Sequence, residues 1–475
     1  MKKYWILLSI CIGGILTQSC QTQRTHASIS ERPMPTFFAG TTDSLNSGQF
    51  SWKNYFDDPY LHALIDTALQ NNVDLQVTFQ RIEANRADIL RAEGFLRPQV
   101  NAQNSNALRK YGLYTMDGAG NISTEMLPGK IVPIHLPDFL IGATASWELD
   151  IWGKLKNNKK AAIARYLSSV EGAQWVKANL VTDVALLYYE LLALDNEMEI
   201  LRETIQKQEE ALKIVQIQKE AGEGTELAAQ QFKASLLSFR AMLFQTQQNR
   251  NEKENQLNFL LGRYPQPILR EKEGLYQSKN TPIDVGLPAQ LLRNRPDIRA
   301  AERLVEASKY DIEVAKAAFL PSINLTGNIG FQAFNPRFLF QTPASIAYGL
   351  IGNIAAPLIN KKAIEANFNT VKAQQTEALY MYQKRILEAF VEVTNEQNKW
   401  KNYEQMYQLK VAETQELENA VQSANLLYLN GRANYLEVLF AQQNTLKTKL
   451  ESLEVKKKQR MTAVQIYKAL GGGWR

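Results

Sequence analysis

The sequence predicts an α+β membrane protein, an internally duplicated protomer of four strands and six main helices. Three observations predict it: one pattern of helix stops and turns written twice, short segments of period-two polarity, and proline-free helical stretches far longer than those of ordinary globular domains.

The duplication is read from two sets of anchors. Around Pro98 the chain reads AEGFLRPQVNA, and around Pro321, 223 positions later, AKAAFLPSINL; in each a proline stops a helical stretch before an alternating segment. Gly222, Leu227 and Gly262 recur as Gly431, Leu436 and Gly471, all displaced by 209. The 14 residues missing from the second copy fall almost wholly between the proline and the end of the alternating region, where a surface loop tolerates deletion. The expected division is a signal peptide at 1–19, a lipid-anchored tether at 20–55, a first repeat at 56–265, a linker at 266–286 and a second repeat at 287–475.

At the start, Lys2 and Lys3 precede an apolar run over 4–16 and the cleavage region Thr17, Gln18, Ser19, Cys20. That run is shorter than the ~20 residues a membrane-spanning helix needs. The placement resembles a lipoprotein signal with Cys20 as the lipidated residue, although Leu16 lies four residues before the cysteine rather than three; an ordinary signal peptide is the alternative. Residues 21–49 are rich in Ser, Thr, Pro and Gly without periodicity and read as an extended tether.

Each repeat opens with a helix, at 59–93 and at 287–318. Strand alternation follows. Phe139, Ile141, Ala143, Ala145, Trp147 and Leu149 alternate with Gly142, Thr144, Ser146, Glu148 and Asp150. Segments 323–331 and 345–358 repeat the pattern, and the polar segment 100–110 is assigned from its place in the repeat. Each is about the length of a tilted transmembrane strand. Taken alone, such strands fit a sheet on a soluble core equally well.

The flanking helices decide against that. Residues 154–221 contain no proline and place Val176, Leu180, Val184, Leu187, Leu191, Leu194, Met198, Leu201 and Ile205 mostly three and four apart, a coiled-coil-like seam. A helix follows a tight turn at 225–261, and 361–429 and 434–470 repeat the arrangement. Four membrane strands cannot close a barrel, since an open sheet leaves unpaired backbone groups in lipid. Copies must pool strands, eight in a dimer or twelve in a trimer.

Composition excludes other classes. With 54 Lys and Arg against 48 Asp and Glu the net charge is +6, too small for a nucleic-acid-binding tail, and a mean hydropathy of −0.31 excludes a polytopic helical membrane protein but not a β-barrel. Two cysteines exclude a disulfide scaffold. His26, His62 and His135 are scattered without metal-ligand spacing, and Gly471, Gly472 and Gly473 have no strand before or helix after them to make a phosphate cradle. No catalytic residues, metal or cofactor are expected.

The duplicated order, WELDIWGKL at 147–155, LRNRPDIRAAE at 292–302, FLPSINL at 319–325 and ALGGGW at 469–474 resemble the TolC-type outer-membrane efflux channels, in particular the OprM/NodT-like lipoprotein branch. The resemblance covers nearly the whole mature chain. It implies a homotrimer with a twelve-stranded β-barrel in the outer membrane, continuous with a long periplasmic α-helical barrel. It also implies a passive exit duct joined through a periplasmic adaptor protein to an inner-membrane pump. The helix turns then become periplasmic tips, with Gly222, Thr225, Leu227, Gly431, Asn434 and Tyr435 contacting the adaptor. Leu436 and Phe440, four apart on one helix face, become the pore constriction, an apolar one where related channels often carry an acid; Glu226 and Glu437 are the candidates to supply that charge. Packing of Leu436 and Phe440 between neighbouring helices is the alternative. At the level of function, the competing reading is a non-transporting coiled-coil envelope lipoprotein, which has no use for lipid-facing strands.

Overall fold

The computed structural model describes residues 30, 33–38, 44–277, 283–357 and 361–475. The signal peptide, Cys20, His26 and Leu358 lie outside them. The described chain divides into two compact units, one of Ser30, 84–166 and 303–380, the other of 33–83, 167–302 and 381–475.

In the first unit the alternating segments form one antiparallel sheet of β1 (Gln99–Arg109), β2 (Leu136–Leu149), β3 (Ser322–Ala333) and β4 (Ile346–Ala355), in that spatial order. Its register is set by rows such as Ala102, Ala143, Ile329 and Tyr348. Residues opposite one another share a face, so Ile141, Ala143, Ala145 and Trp147 lie on the face of Leu325, Ile329, Phe331, Tyr348, Leu350 and Ile354. Ile329, Tyr348, Leu350 and Ile354 are more than half exposed there. The other face carries Asn101, Gln103, Thr144, Ser146, Asn324, Thr326 and Asn328. β1 and β4 are each paired on one side within this sheet. The polar β1 is a strand as its place in the repeat predicts, and it sets Asn104 and Asn106 on the otherwise apolar face.

The connection between β1 and β2 is mostly exposed and carries structure of its own. It holds a helix, Met116–Ser123, and a small hairpin of Glu125–Leu127 with Lys130–Ile131. The helix starts because the Thr115 hydroxyl caps it, accepting from Gly118 N at 3.1 Å.

The longer helices are α1 (Pro59–Asn71), α2 (Val73–Gly94), α3 (Lys154–Glu220), α4 (Glu226–Leu260), α5 (Pro296–Ala317), α6 (Lys361–Leu429) and α7 (Tyr435–Ala469). Among the described residues none is long and apolar enough to cross a membrane. The expected helix over 59–93 is two. Asn72 breaks it, leaving helical geometry while its side chain accepts from Leu75 N at 2.9 Å and donates to Leu260 O at 2.9 Å. The helix expected from 287 begins at Pro296, because the residue before a proline is driven out of the α region; Arg295 sits at φ −86°, ψ 117°. Short turns at Pro288–Gln290 and Leu291–Asn294 precede it.

In the second unit the main core gathers on α3. Of the expected seam, Leu180, Val184, Leu191, Met198 and Leu201 are buried, but so are Val181, Ala185, Tyr188 and Leu192. The buried face is wider than a coiled-coil seam because α3 has several partners: Leu61 and Ile65 of α1, Leu257 of α4, and Leu453, Val464 and Tyr467 of α7 join one cluster. The later part of the N-terminal segment packs too. Phe38 stacks on Phe390 with centroids 5.1 Å apart, Asn46 forms a β-bridge to Val285, and Trp52 and Tyr55 enter the main core. Buried Arg295 of the LRNRPDIRAAE motif binds both oxygens of Asp297, Glu392 at 2.7 Å and the Ala469 carbonyl at 3.0 Å, tying the start of α5 to α6 and to the end of α7.

Candidate functional site

Both predicted helix turns lie within the second unit. At the first, α3 closes with Gly222 at φ +78°, a left-handed conformation that glycine adopts without steric cost, and Glu223 N and Gly224 N both donate to Gln218 O. The next helix starts at once because Thr225 is its N-cap, its hydroxyl accepting from Ala228 N at 3.2 Å. Leu227 is exposed on the first turn of α4. Glu226 forms an ion pair with Lys219 across the turn and accepts from Gln230 Nε2 at 3.2 Å. The Lys219 ammonium holds the Glu226 carboxyl below its ordinary range.

The second turn repeats the solution. Gly431 has φ +67°, Arg432 N donates to Leu427 O at 2.8 Å, and Asn434 caps α7 by accepting from Leu436 N at 3.3 Å while Glu437 accepts from Asn434 N. Tyr435 is half-buried; Leu436 and Phe440 are 47% and 67% exposed. Within one chain, therefore, neither is packed away between helices. They border a shallow groove between α4 and α7 whose other wall includes Gln231, Ala234, Ser235 and Ser238. Neither acid proposed to carry the missing charge is at leisure: Glu226 is paired with Lys219, and Glu437 closes its own helix end.

The two turns are brought together mostly by residues that no motif marked. Val215, Ala228, Ala229, Phe232, Val438 and Leu439 form a buried cluster with Tyr428 and Tyr435 against it. Tyr428 Oη donates to Gln218 Oε1 at 2.7 Å, linking the end of α6 to the end of α3. The buried pair Val438 and Leu439, next to exposed Leu436 and Phe440, divides the first turns of α7 into an inward and an outward face. Periodicity places these faces; which neighbours meet them depends on tertiary packing.

In the first unit, the two acids of WELDIWGKL have structural partners. Glu148 pairs with Lys154 at 2.9 Å, and Asp150 caps α3 by accepting from Leu155 N and Lys156 N at 2.9 and 2.8 Å. His62 Nε2 bonds the Phe56 carbonyl at 2.7 Å, and His135 is exposed. Among the described residues no group of three His, Cys, Asp or Glu is placed to hold a metal ion.

One unit with helix hairpins of this length, and another with a sheet of bilayer-length strands presenting an exposed apolar face, define an outer-membrane channel protomer. Residues 64–263 and 287–472 match the sequence model of the outer membrane efflux protein family, and the chain belongs to that family. It is 28% identical over 476 residues to the cation efflux system protein CusC of Escherichia coli O6:H1, covering 98% of each chain. It is 29% identical to the probable outer membrane lipoprotein SilC of Salmonella typhimurium, over 98% of this chain and 96% of that one. A crystal structure of CusC superposes with a TM-score of 0.81 at 26% identity, over 94% of this chain and 99% of that chain. Membership places the protein in the outer membrane, with a periplasmic extension, as a channel of efflux systems and not an enzyme. Trimeric assembly and association with an adaptor and an inner-membrane pump are typical of the family.

Proposed function

We propose that three copies of this chain pool their sheets into a twelve-stranded barrel, continuous with a periplasmic helical barrel, and passively conduct small molecules outward from an adaptor and inner-membrane transporter. The observation that carries this reading is the sheet: four strands with one apolar exposed face and two edges left unpaired among the described residues. In lipid those edges demand partners. Second copies supply them without further sequence. A bracing lipoprotein gains nothing from such a face, so the conduit is preferred. Each repeat, 56–265 and 287–475 about the linker 266–286, contributes two strands and one hairpin. Cleavage of 1–19 exposes Cys20 for acylation, and 20–55 leads from that anchor into the fold.

The turns are the docking and closing points. Gly222, Thr225, Leu227, Gly431, Asn434 and Tyr435 meet the adaptor, and rings of Leu436 and Phe440 form an apolar constriction that closes by excluding water. Cargo stays at the level of small molecules, with selection left to the pump. The test is planar-bilayer conductance of the purified protein beside Leu436→Ser and Phe440→Ser, after its mass has been checked for a trimer. Low wild-type conductance that rises in the variants is expected. Absence of both trimer and conductance in all three proteins overturns the conduit.

A further inference from the structure

We propose that a collar of lysines at the helix-proximal end of the sheet is a docking surface for the phosphates of anionic phospholipids in the periplasm-facing leaflet of the outer membrane. The inference rests on reading the sheet's apolar face as lipid-facing, and goes beyond it by naming a headgroup class.

The argument starts from a charge pattern that breaks a local rule. Residues 151–170 contain Lys154, Lys156, Lys159, Lys160 and Arg165 and no acid, and α6 opens on Lys361 and Lys362. Neither α3 nor α6 has an acidic residue in its first turn. Cations at a helix N-terminus oppose the helix dipole, so their placement costs stability unless something else draws them there.

Side-chain partners divide these cations into two groups. Lys154 is held by Glu148, Lys159 by Glu93 at 2.6 Å and Arg165 by Asp311 at 2.5 Å. Lys156, Lys361 and Lys362 are exposed and, among the described residues, have no carboxylate partner; Lys160, also exposed, lies over the Tyr310 ring at 5.6 Å. Lys156 and Lys160 are four apart and so project from one side of α3. Glu365 is the nearest acid in sequence to Lys361 and Lys362. The first backbone N–H groups of α3 are already satisfied by Asp150. What remains for a ligand is the ammonium groups themselves.

The second observation is the belt beside them. Trp147 lies on the apolar face of β2 one row short of its helix-proximal end, which is the row of Leu149, Ile323 and Ile354, and Trp152 lies between β2 and α3. They are 36% and 49% exposed, and each indole N–H is bonded inward, to Leu96 O at 3.1 Å and Pro321 O at 2.6 Å. Half-exposed, tethered indoles are what a membrane–water boundary selects. From the strands toward the helices the unit thus presents an apolar face that includes one indole near its end, then a second indole, then ammonium groups without carboxylate partners among the described residues. That sequence matches acyl chain, glycerol region and phosphate, and positive charge at headgroup depth complements an anionic lipid.

The test reconstitutes the full-length protein in phosphatidylcholine vesicles containing spin-labelled phosphatidylglycerol or spin-labelled phosphatidylcholine, and measures the motionally restricted fraction of each. Wild type is expected to hold phosphatidylglycerol over phosphatidylcholine by roughly five-fold or more at low salt, with the preference shrinking as salt rises. Lys156→Gln/Lys160→Gln/Lys361→Gln/Lys362→Gln is expected to lose the preference while keeping the restricted lipid fraction. Should that variant fail to fold, the salt dependence of wild type decides. Restricted lipid without preference for either headgroup overturns this inference alone. No restricted lipid of either kind overturns the lipid-facing sheet, and the collar with it.

Discussion

Lys456 is buried on α7, its ammonium 4.6 Å from the centroid of the Tyr407 ring and hydrogen-bonded to Gln459 Oε1 at 3.1 Å. Burial, reinforced by the Arg460 guanidinium and opposed by Glu404, pushes its pKa down to about 8. In the unfolded chain the group stays protonated to ~10.4. Between pH 8 and that value the unfolded state binds more protons, so stability rises with pH; below about 8 the full cost of the buried charge is carried. Lys456→Met should therefore stabilise the protein at pH 7 by on the order of 2 kcal/mol, and the gain should shrink at pH 10. Apparent melting temperatures of both proteins in one detergent at pH 7, 8.5 and 10 check this, and a gap independent of pH refutes it. A second residue-scale constraint sits in the sheet, where Gly142 and Gly330 oppose each other. A Cβ at Gly142 would lie 2.3 Å from Ile329 O, whereas one at Gly352 meets only the Leu325 side chain at 3.6 Å. Gly142→Ala should reduce the yield of folded protein severely and Gly352→Ala little, as read by heat-resistant migration in mild detergent.

The main elements were readable because their signals are local. Alternation in 139–150 and in the second repeat gave strands on the correct face, and Gly222 and Gly431 marked turns whose left-handed geometry the structure contains. What was not readable depends on partners distant in sequence. Asn72 breaks a continuous helical pattern because Leu260, 188 residues away, offers a carbonyl. The width of the buried face on α3, and the cluster joining the two turns, likewise require knowing which helices are neighbours. Asp150 could have been read as a cap, but alternation placed it in the strand. Arg295 was visible only as part of a motif. Its role is electrostatic: its side chain is 4% exposed and its guanidinium is bound to Asp297 and Glu392. Arg295→Ala would leave two acids without their cation inside the second unit and should cost about 3 kcal/mol or more. Asn434→Ala, which removes an exposed cap, should cost about 1 kcal/mol. Denaturant titration monitored by helix circular dichroism ranks the two, and a reversed order would contradict the role given to Arg295.

For the whole molecule, the question is which surface meets lipid, and the strand period makes that testable within a single element. Leu350 and Ile351 are neighbours on β4, both largely exposed and both large and apolar, yet the register sets Leu350 opposite Gly327 on the apolar face and Ile351 opposite Thr326 on the polar face. A soluble sheet with two wet faces would tolerate a lysine equally at either position. In a barrel the positions differ: a lysine facing the bilayer midplane costs about 2–4 kcal/mol, while one facing a water-filled lumen keeps its hydration. Leu350→Lys should therefore lower the amount of protein assembled in the outer membrane fraction, and Ile351→Lys should leave assembly near wild type while shifting ion selectivity toward anions. Because the two substitutions add the same charge one residue apart, differences in expression or net charge cannot mimic the contrast. Equal assembly of both would remove the ground for a lipid-facing sheet, and the reversed order would turn the barrel inside out, placing Asn324, Thr326 and Asn328 against acyl chains, where hydrogen-bonding side chains have no partner.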